Sequence, residues 1–161
     1  MKQALCFTLI SLTLGMVWGT VSHAGRGEIK LIGVEDGRNN AHLSSDIIGD
    51  SVIIGSIGSG ITTIYANNGK DWRQVGDLLA NDQPGEVALH SYGYAVSISG
   101  PHERAAANFA IVGAPNHGRV RGGKPGNGAA YIFRRSGNNW KQQVKLLASD
   151  AADDDRFGES V

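Results

Sequence analysis

The chain has 161 residues, with 15 basic side chains against 15 acidic ones and 23 glycines. A balanced charge excludes a general binder of nucleic acid or anionic membrane, either of which asks for a basic excess. A single cysteine, Cys6, excludes a disulfide framework, so stability has to come from packing and strand pairing.

The N-terminus carries Lys2, an apolar run from Ala4 to Val21 and then Ser22-His23-Ala24, with small residues at both positions a signal peptidase reads. This pattern predicts a secretory signal peptide over residues 1–24. Thr8, Ser11, Thr13 and Thr20 dilute the run and no basic stop-transfer cluster follows it, so no membrane span is expected after cleavage. Cys6 lies too early for lipid attachment and leaves with the peptide. Lys2 is the only strongly charged residue lost, so the mature chain carries one more acid than base. The expected location is secreted, periplasmic or cell surface.

Beyond the leader, helix formers never settle into a 3.6-residue period. Apolar residues come in short runs rich in β-branched side chains, with Gly, Asn, Asp or Pro between them, which predicts an all-β chain with tight turns. In chain order the strand candidates are Glu28 to Ile32, Ser51 to Ser56, Ile61 to Tyr65, Trp72 to Ala80, Tyr92 to Val96, Phe109 to Pro115, Ala129 to Phe133, Trp140 to Ala148 and Phe157 to Val161. Laid over itself, the chain repeats. Trp72 to Asp82 matches Trp140 to Asp150 at Trp, Gln, Leu-Leu-Ala and Asp; Tyr92-Gly93 matches Phe157-Gly158; and Glu28 to Ile32 matches Gln143 to Leu147. Four short antiparallel strands recurring at this period predict β-propeller blades, because one such sheet cannot bury both faces and must stack on a neighbour. The expected units are a last strand of a partial blade at residues 25–41, a first full blade at 42–91, a second at 92–156 and the first strand of a following blade at 157–161.

The second unit carries the clearest motifs: Tyr92-Gly93, Gly113-Ala114-Pro115, Gly128 to Phe133, Trp140 to Asp150 and Phe157-Gly158. These resemble the FG-GAP repeat of integrin α-subunit propellers, in its bacterial secreted branch. The first unit is degenerate, with His42-Leu43 at the Phe-Gly position and Gly55-Ser56-Ile57 at the Gly-Ala-Pro position. Physical roles can be assigned without the family. An aromatic-Gly pair puts a ring between blades while Gly admits neighbouring backbone. Gly-Ala-Pro ends a strand, since Pro115 denies the next ladder bond. Trp72 and Trp140 are expected in the inter-blade core rather than stacked on sugar.

The resemblance implies that calcium can bind the loop between the first two strands through alternating Asp residues. Here that loop is only Gly49-Asp50 in the first unit, and in the second it runs from Ser99 to Asn108 with one carboxylate, Glu103. No cofactor is therefore expected. The densest acidic run, Asp150, Asp153, Asp154 and Asp155, is a candidate cation site, with a solvated turn between blades as the plainer reading. The segment from Gly118 to Lys124 imitates the opening of a phosphate-binding loop, but Pro125 stands where Ser or Thr is needed and a strand follows. What remains is a basic loop, His117, Arg119, Arg121 and Lys124, a candidate contact for an anion or acidic glycan. His90, His102 and His117 are isolated, and Ser44 and Ser45 near His42 lack a nucleophile elbow. His102-Glu103 is the one acid–base pair to test.

These observations predict an exported, non-catalytic propeller module that recognises a protein or glycan. The alternative is the scaffold of a larger secreted hydrolase whose active site lies beyond Val161. Two blades flanked by single strands make an open arc of a ring, a fragment whose faces need further blades in cis or an oligomer to cover them.

Overall fold

In a computed structural model, the residues described are 6–12, 16–22, 28–31, 43–57, 60–82, 91–101, 106–119 and 126–161, with side-chain surroundings from Ser44 onward. All of the regular structure among them is β. Among the described residues, eleven strands form three antiparallel sheets.

The first sheet joins β1 (Cys6–Leu12), β2 (Met16–Ser22) and β3 (Glu28–Leu31) in that order. β1 and β2 are the apolar run expected to act as a leader, here paired from Cys6–Ser22 to Leu12–Met16. β3 is the strand expected to belong to a partial blade, and it pairs with β2.

The other two sheets are the expected blades. The first runs β4 (Leu43–Ile48), β5 (Ser51–Ser56), β6 (Ile61–Asn67), β7 (Trp72–Leu78), and the second runs β8 (Val96–Ser99), β9 (Phe109–Ala114), β10 (Ala129–Ser136), β11 (Asn139–Leu146). Each is a simple meander with sequential neighbours. Glycines at the first turn position, Gly49 (φ +53) and Gly137 (φ +62), set the β4–β5 and β10–β11 hairpins, since left-handed backbone there matches strand twist. The two sheets share an irregularity as well as an order. Register shifts between Ile64 and Tyr65 in one and between Ile132 and Phe133 in the other, at matching places of the repeat. A conserved offset of this kind ties the sequence repeat to one backbone geometry.

Strand alternation decides what is buried. Ile53, Ile64 and Leu78 of the first blade pack with Val96, Ile98, Ala110, Val112, Tyr131 and Phe133 of the second in one core. Trp140 lies against this core, with its Cδ1 so near Gly76 that a Cβ there would stand 3.2 Å from it. Trp140 is therefore inter-blade packing, as expected. Trp72 holds the corresponding place on the opposite face of the first blade, packed with Ile47, Val52, Ile54 and Tyr65. Polar contacts pin the two blades as well. The Asp46 carboxylate accepts from Ser97 Oγ (3.0 Å) and Ile98 N (2.9 Å), and Ser44 Oγ donates to the Gly93 carbonyl (2.8 Å).

The far face of the second blade repeats the pattern. Ile111 and Ile132 are paired neighbours there, as Ile53 and Ile64 are in the first blade. Val144 (42 % exposed) and Phe109 (44 % exposed) share the face, and the Arg134 guanidinium lies 5.7 Å over the Phe109 ring. The sheets thus form an open stack and close no ring among the described residues.

Candidate functional site

The aromatic-Gly and Gly-Ala-Pro motifs meet at the joints between units. Tyr92-Gly93 lies in the turn before β8 rather than at the strand's start, which corrects the expected placement. Gly93 N donates to Gly113 O (3.0 Å) within its own blade, and Gly93 also abuts the preceding blade, where a Cβ on Gly55 would overlap its carbonyl oxygen. The arrangement recurs one unit later. Phe157 forms a parallel bridge with Gly128, and the Gly158 carbonyl lies where a Cβ on Gly113 would go. Each joint is backbone on backbone, which only Gly permits. β9 ends at Ala114, and Pro115 is fully buried in the turn that follows. The pairing Ser44–Gly55 matches the Ala95 to Gly113 contact, so Ser45 holds the place of Val96. Counting back, the Phe-Gly position of the first unit moves one residue earlier than His42-Leu43; His42 lies outside the described residues.

Beside this joint, five polar side chains converge on the seam. The Tyr92 ring is buried, its hydroxyl donates to Leu78 O (3.1 Å), and its edge meets Tyr131 at 5.5 Å between centroids. Asp82, in the turn after β7, forms an ion pair with Lys145 of β11 at 2.5 Å. The Tyr131 hydroxyl lies 3.2 Å from His117 Nδ1. Burial alone would raise the Asp82 carboxyl, but the hydrogen bond and charge of Lys145 outweigh it and hold the group below its ordinary range. Tyr131 moves the other way, well above the usual phenol range, through burial first and then the adjacent Asp82 charge. Tyr92 is raised by burial too. Phenols held this way stay protonated near neutrality, so they act as hydrogen-bond donors rather than nucleophiles.

His117 is 7 % exposed and belongs to this seam. Its place in the expected basic ligand loop is therefore corrected: the Tyr131 hydroxyl draws the ring inward. Arg119 is exposed, while Arg121 and Lys124 lie outside the described residues, as do His90 and the pair His102-Glu103. The acidic run forms a turn. Asp155 Oδ2 accepts from Ala152 N (2.6 Å), and Asp154, at φ +73, donates its N–H to Gly126 O (3.2 Å). Among the described residues no three His, Cys, Asp or Glu side chains gather as a ligand set.

Sequence reading missed the Asp82–Lys145 pair and the Tyr131–His117 contact. The matched Asp82 and Asp150 carried a signal, because Asp82 closes the same Leu-Leu-Ala stretch as Asp150, but its partners sit on another blade.

Stacked four-stranded meanders joined glycine to glycine define a protein of β-propeller-type blades in an open arc. Residues 140–161 match the family model of the FG-GAP repeat, a stretch that begins at Trp140 and takes in β11 to Leu146, the acidic turn and the Phe157-Gly158 joint. This stretch of the chain is thus an FG-GAP repeat. Comparison with characterised proteins returned no match. No helix among the described residues is long and apolar enough to cross a membrane.

Proposed function

We propose that this chain is the blade-bearing part of an exported, non-catalytic recognition module whose ligand is a protein or glycan. The carrying observation is that the acid–base groups of the seam, Asp82, Lys145, Tyr131 and His117, are spent on one another in holding two blades together. A general base or nucleophile must instead be free to meet a substrate. Recognition then falls to the loops that the stacked blades display, a common use of rigid scaffolds. The row of half-buried Ile111 and Ile132 with exposed Phe109 and Val144 is the seat for a further blade, supplied in cis or by an oligomer, because its counterpart in the first blade is already covered. No cofactor is required.

The apolar leader serves export. N-terminal sequencing of chain recovered outside the cytoplasm should begin at Gly25, and recovery only with Met1 retained would refute export through this leader. For recognition, the full chain is screened against arrays of cell-surface proteins and glycans. Saturable binding to one class is expected, and hydrolytic release of an arrayed glycan or absence of any binding would overturn the reading.

A further inference from the structure

We propose that Asn68 is a self-modifying residue, converted without an enzyme to isoaspartate and aspartate through a cyclic imide formed with Gly69. The Gly69 backbone nitrogen attacks Asn68 Cγ. A C–N bond forms, the side-chain Cγ–Nδ2 bond breaks, and the amide proton of Gly69 leaves with that nitrogen as ammonia. Water then adds to either imide carbonyl and opens the ring, giving isoaspartate or aspartate. Nothing is oxidised or reduced, and water is the only co-reactant.

The setting at the tip of the β6–β7 hairpin favours this step. Asn68 and Gly69 are exposed, so water reaches the imide. Gly69 has no side chain to shield its nitrogen, and nothing lies within 4 Å of where its Cβ would be. The Asn68 Oδ1 oxygen accepts two backbone N–H groups, from Lys70 (2.9 Å) and Asp71 (2.9 Å). This is the atom on which negative charge grows as Cγ becomes tetrahedral, so the two donors stabilise the addition rather than only the starting amide. Gly69 N–H is held by Asn67 Oδ1 at 2.7 Å, an exposed bond that water can replace.

The chain contains a second Asn-Gly pair, Asn127-Gly128, in the opposite setting. Gly128 is buried, its N–H donates to His117 O (3.1 Å), and the backbone of Phe157 occupies the space around its α-carbon. Asn127 O in turn accepts from Phe157 N (3.0 Å). There the nucleophile is pinned to a carbonyl inside an inter-unit joint and cannot turn onto its neighbour. Two identical dipeptides should therefore age at different rates, and the fold makes the difference.

Conversion at Asn68 adds a negative charge next to Asp71. In the isoaspartate product it also adds a methylene to a main chain pinned by Asn67 N to Asp50 O (2.8 Å) and Asn68 N to Asp71 O (3.2 Å). The tip of the outer hairpin would loosen and turn more acidic, while the seam stays untouched.

The test incubates the full chain, folded and in urea, in mildly alkaline buffer and reads both sites by peptide mapping and isoaspartyl methyltransferase labelling. In the folded chain Asn68 should convert about tenfold faster than Asn127, and the two should approach each other in urea, where the backbone cradle and the buried joint are gone. Asn68→Gln should abolish the labelled peptide and leave the Asn127 signal unchanged. The proposal fails if Asn127 keeps pace with Asn68 in the folded chain, or if Asn68 converts no faster folded than in urea.

Discussion

Replacing Gly55 by Ala tests the joint between blades with one carbon atom. Gly55 sits in the buried middle of β5 without a positive φ, so Ala can adopt its backbone and any penalty is steric. The added Cβ would overlap the Gly93 carbonyl oxygen and lie 2.7 Å from Ser44 Oγ and 2.8 Å from Val96 Cγ1. Ordinary contact is about 3.5–4.0 Å, so Gly93 has to retreat by about 1 Å. It cannot do so freely, because its N–H is bonded to Gly113 O and its carbonyl accepts from Ser44. Overpacking of this sort costs about 1–3 kcal/mol. Losing the Ser44 bond adds about 1 kcal/mol, and the smaller entropy loss of Ala returns about 0.5–1 kcal/mol. A net loss of about 1–3.5 kcal/mol should lower Tm by about 3–10 °C in thermal unfolding followed by circular dichroism. Gly76→Ala is the control, since its Cβ meets only the Trp140 side chain at 3.2 Å, and it should cost less than about 1 kcal/mol. An unchanged Tm in Gly55→Ala, or an equal loss in Gly76→Ala, would refute the backbone-on-backbone joint.

Other expectations concern the seam. Asp82 has its carboxyl lowered by Lys145, so its contribution is complete above the unfolded value near 3.8 and disappears as pH falls through the folded value. The pair is about one-third exposed on the Asp82 side, which limits it to about 0.5–1 kcal/mol. Tm of the native chain should therefore drop below about pH 4 by more than that of Asp82→Asn, and parallel curves would remove the ion pair from the account. Tyr92→Phe keeps the ring contact with Tyr131 but leaves the Leu78 carbonyl without its donor, at a cost of about 1–2 kcal/mol in urea unfolding; no change in midpoint would mean that water replaces the hydroxyl. Lys145→Met keeps the stem and removes the charge, so the Asp82 carboxyl should titrate at higher pH when followed by NMR. A carboxyl resonance that does not move would assign the lowering to another group.

The strands were legible in the chain itself because their causes are local. Short β-branched runs, Gly at the turns of Gly49 and Gly137, and the recurrence of Trp72 at Trp140 depend on neighbours in sequence, and the two meanders follow from them. The Phe-Gly and Gly-Ala-Pro motifs were visible too, as was their need for small residues. What they touch was not. Gly93 abuts Gly55 and Gly158 abuts Gly113 only because consecutive blades stack, a relation between sheets that no spacing within one unit reveals. His117 read as a loop residue among arginines, and the tertiary structure turned it inward because a buried phenol, Tyr131, offered it a hydrogen bond. Asp82 and Lys145 stand 63 residues apart, each unremarked as a charge on its own strand end, and stacking makes them partners. By itself, then, the sequence determined the repeat and most of its strands, though not the phase of the first unit, since hydrophobic alternation and turn chemistry act over a few residues. Only the tertiary structure decided which polar groups would be consumed at the seam, since partners in a stack are chosen by proximity in space.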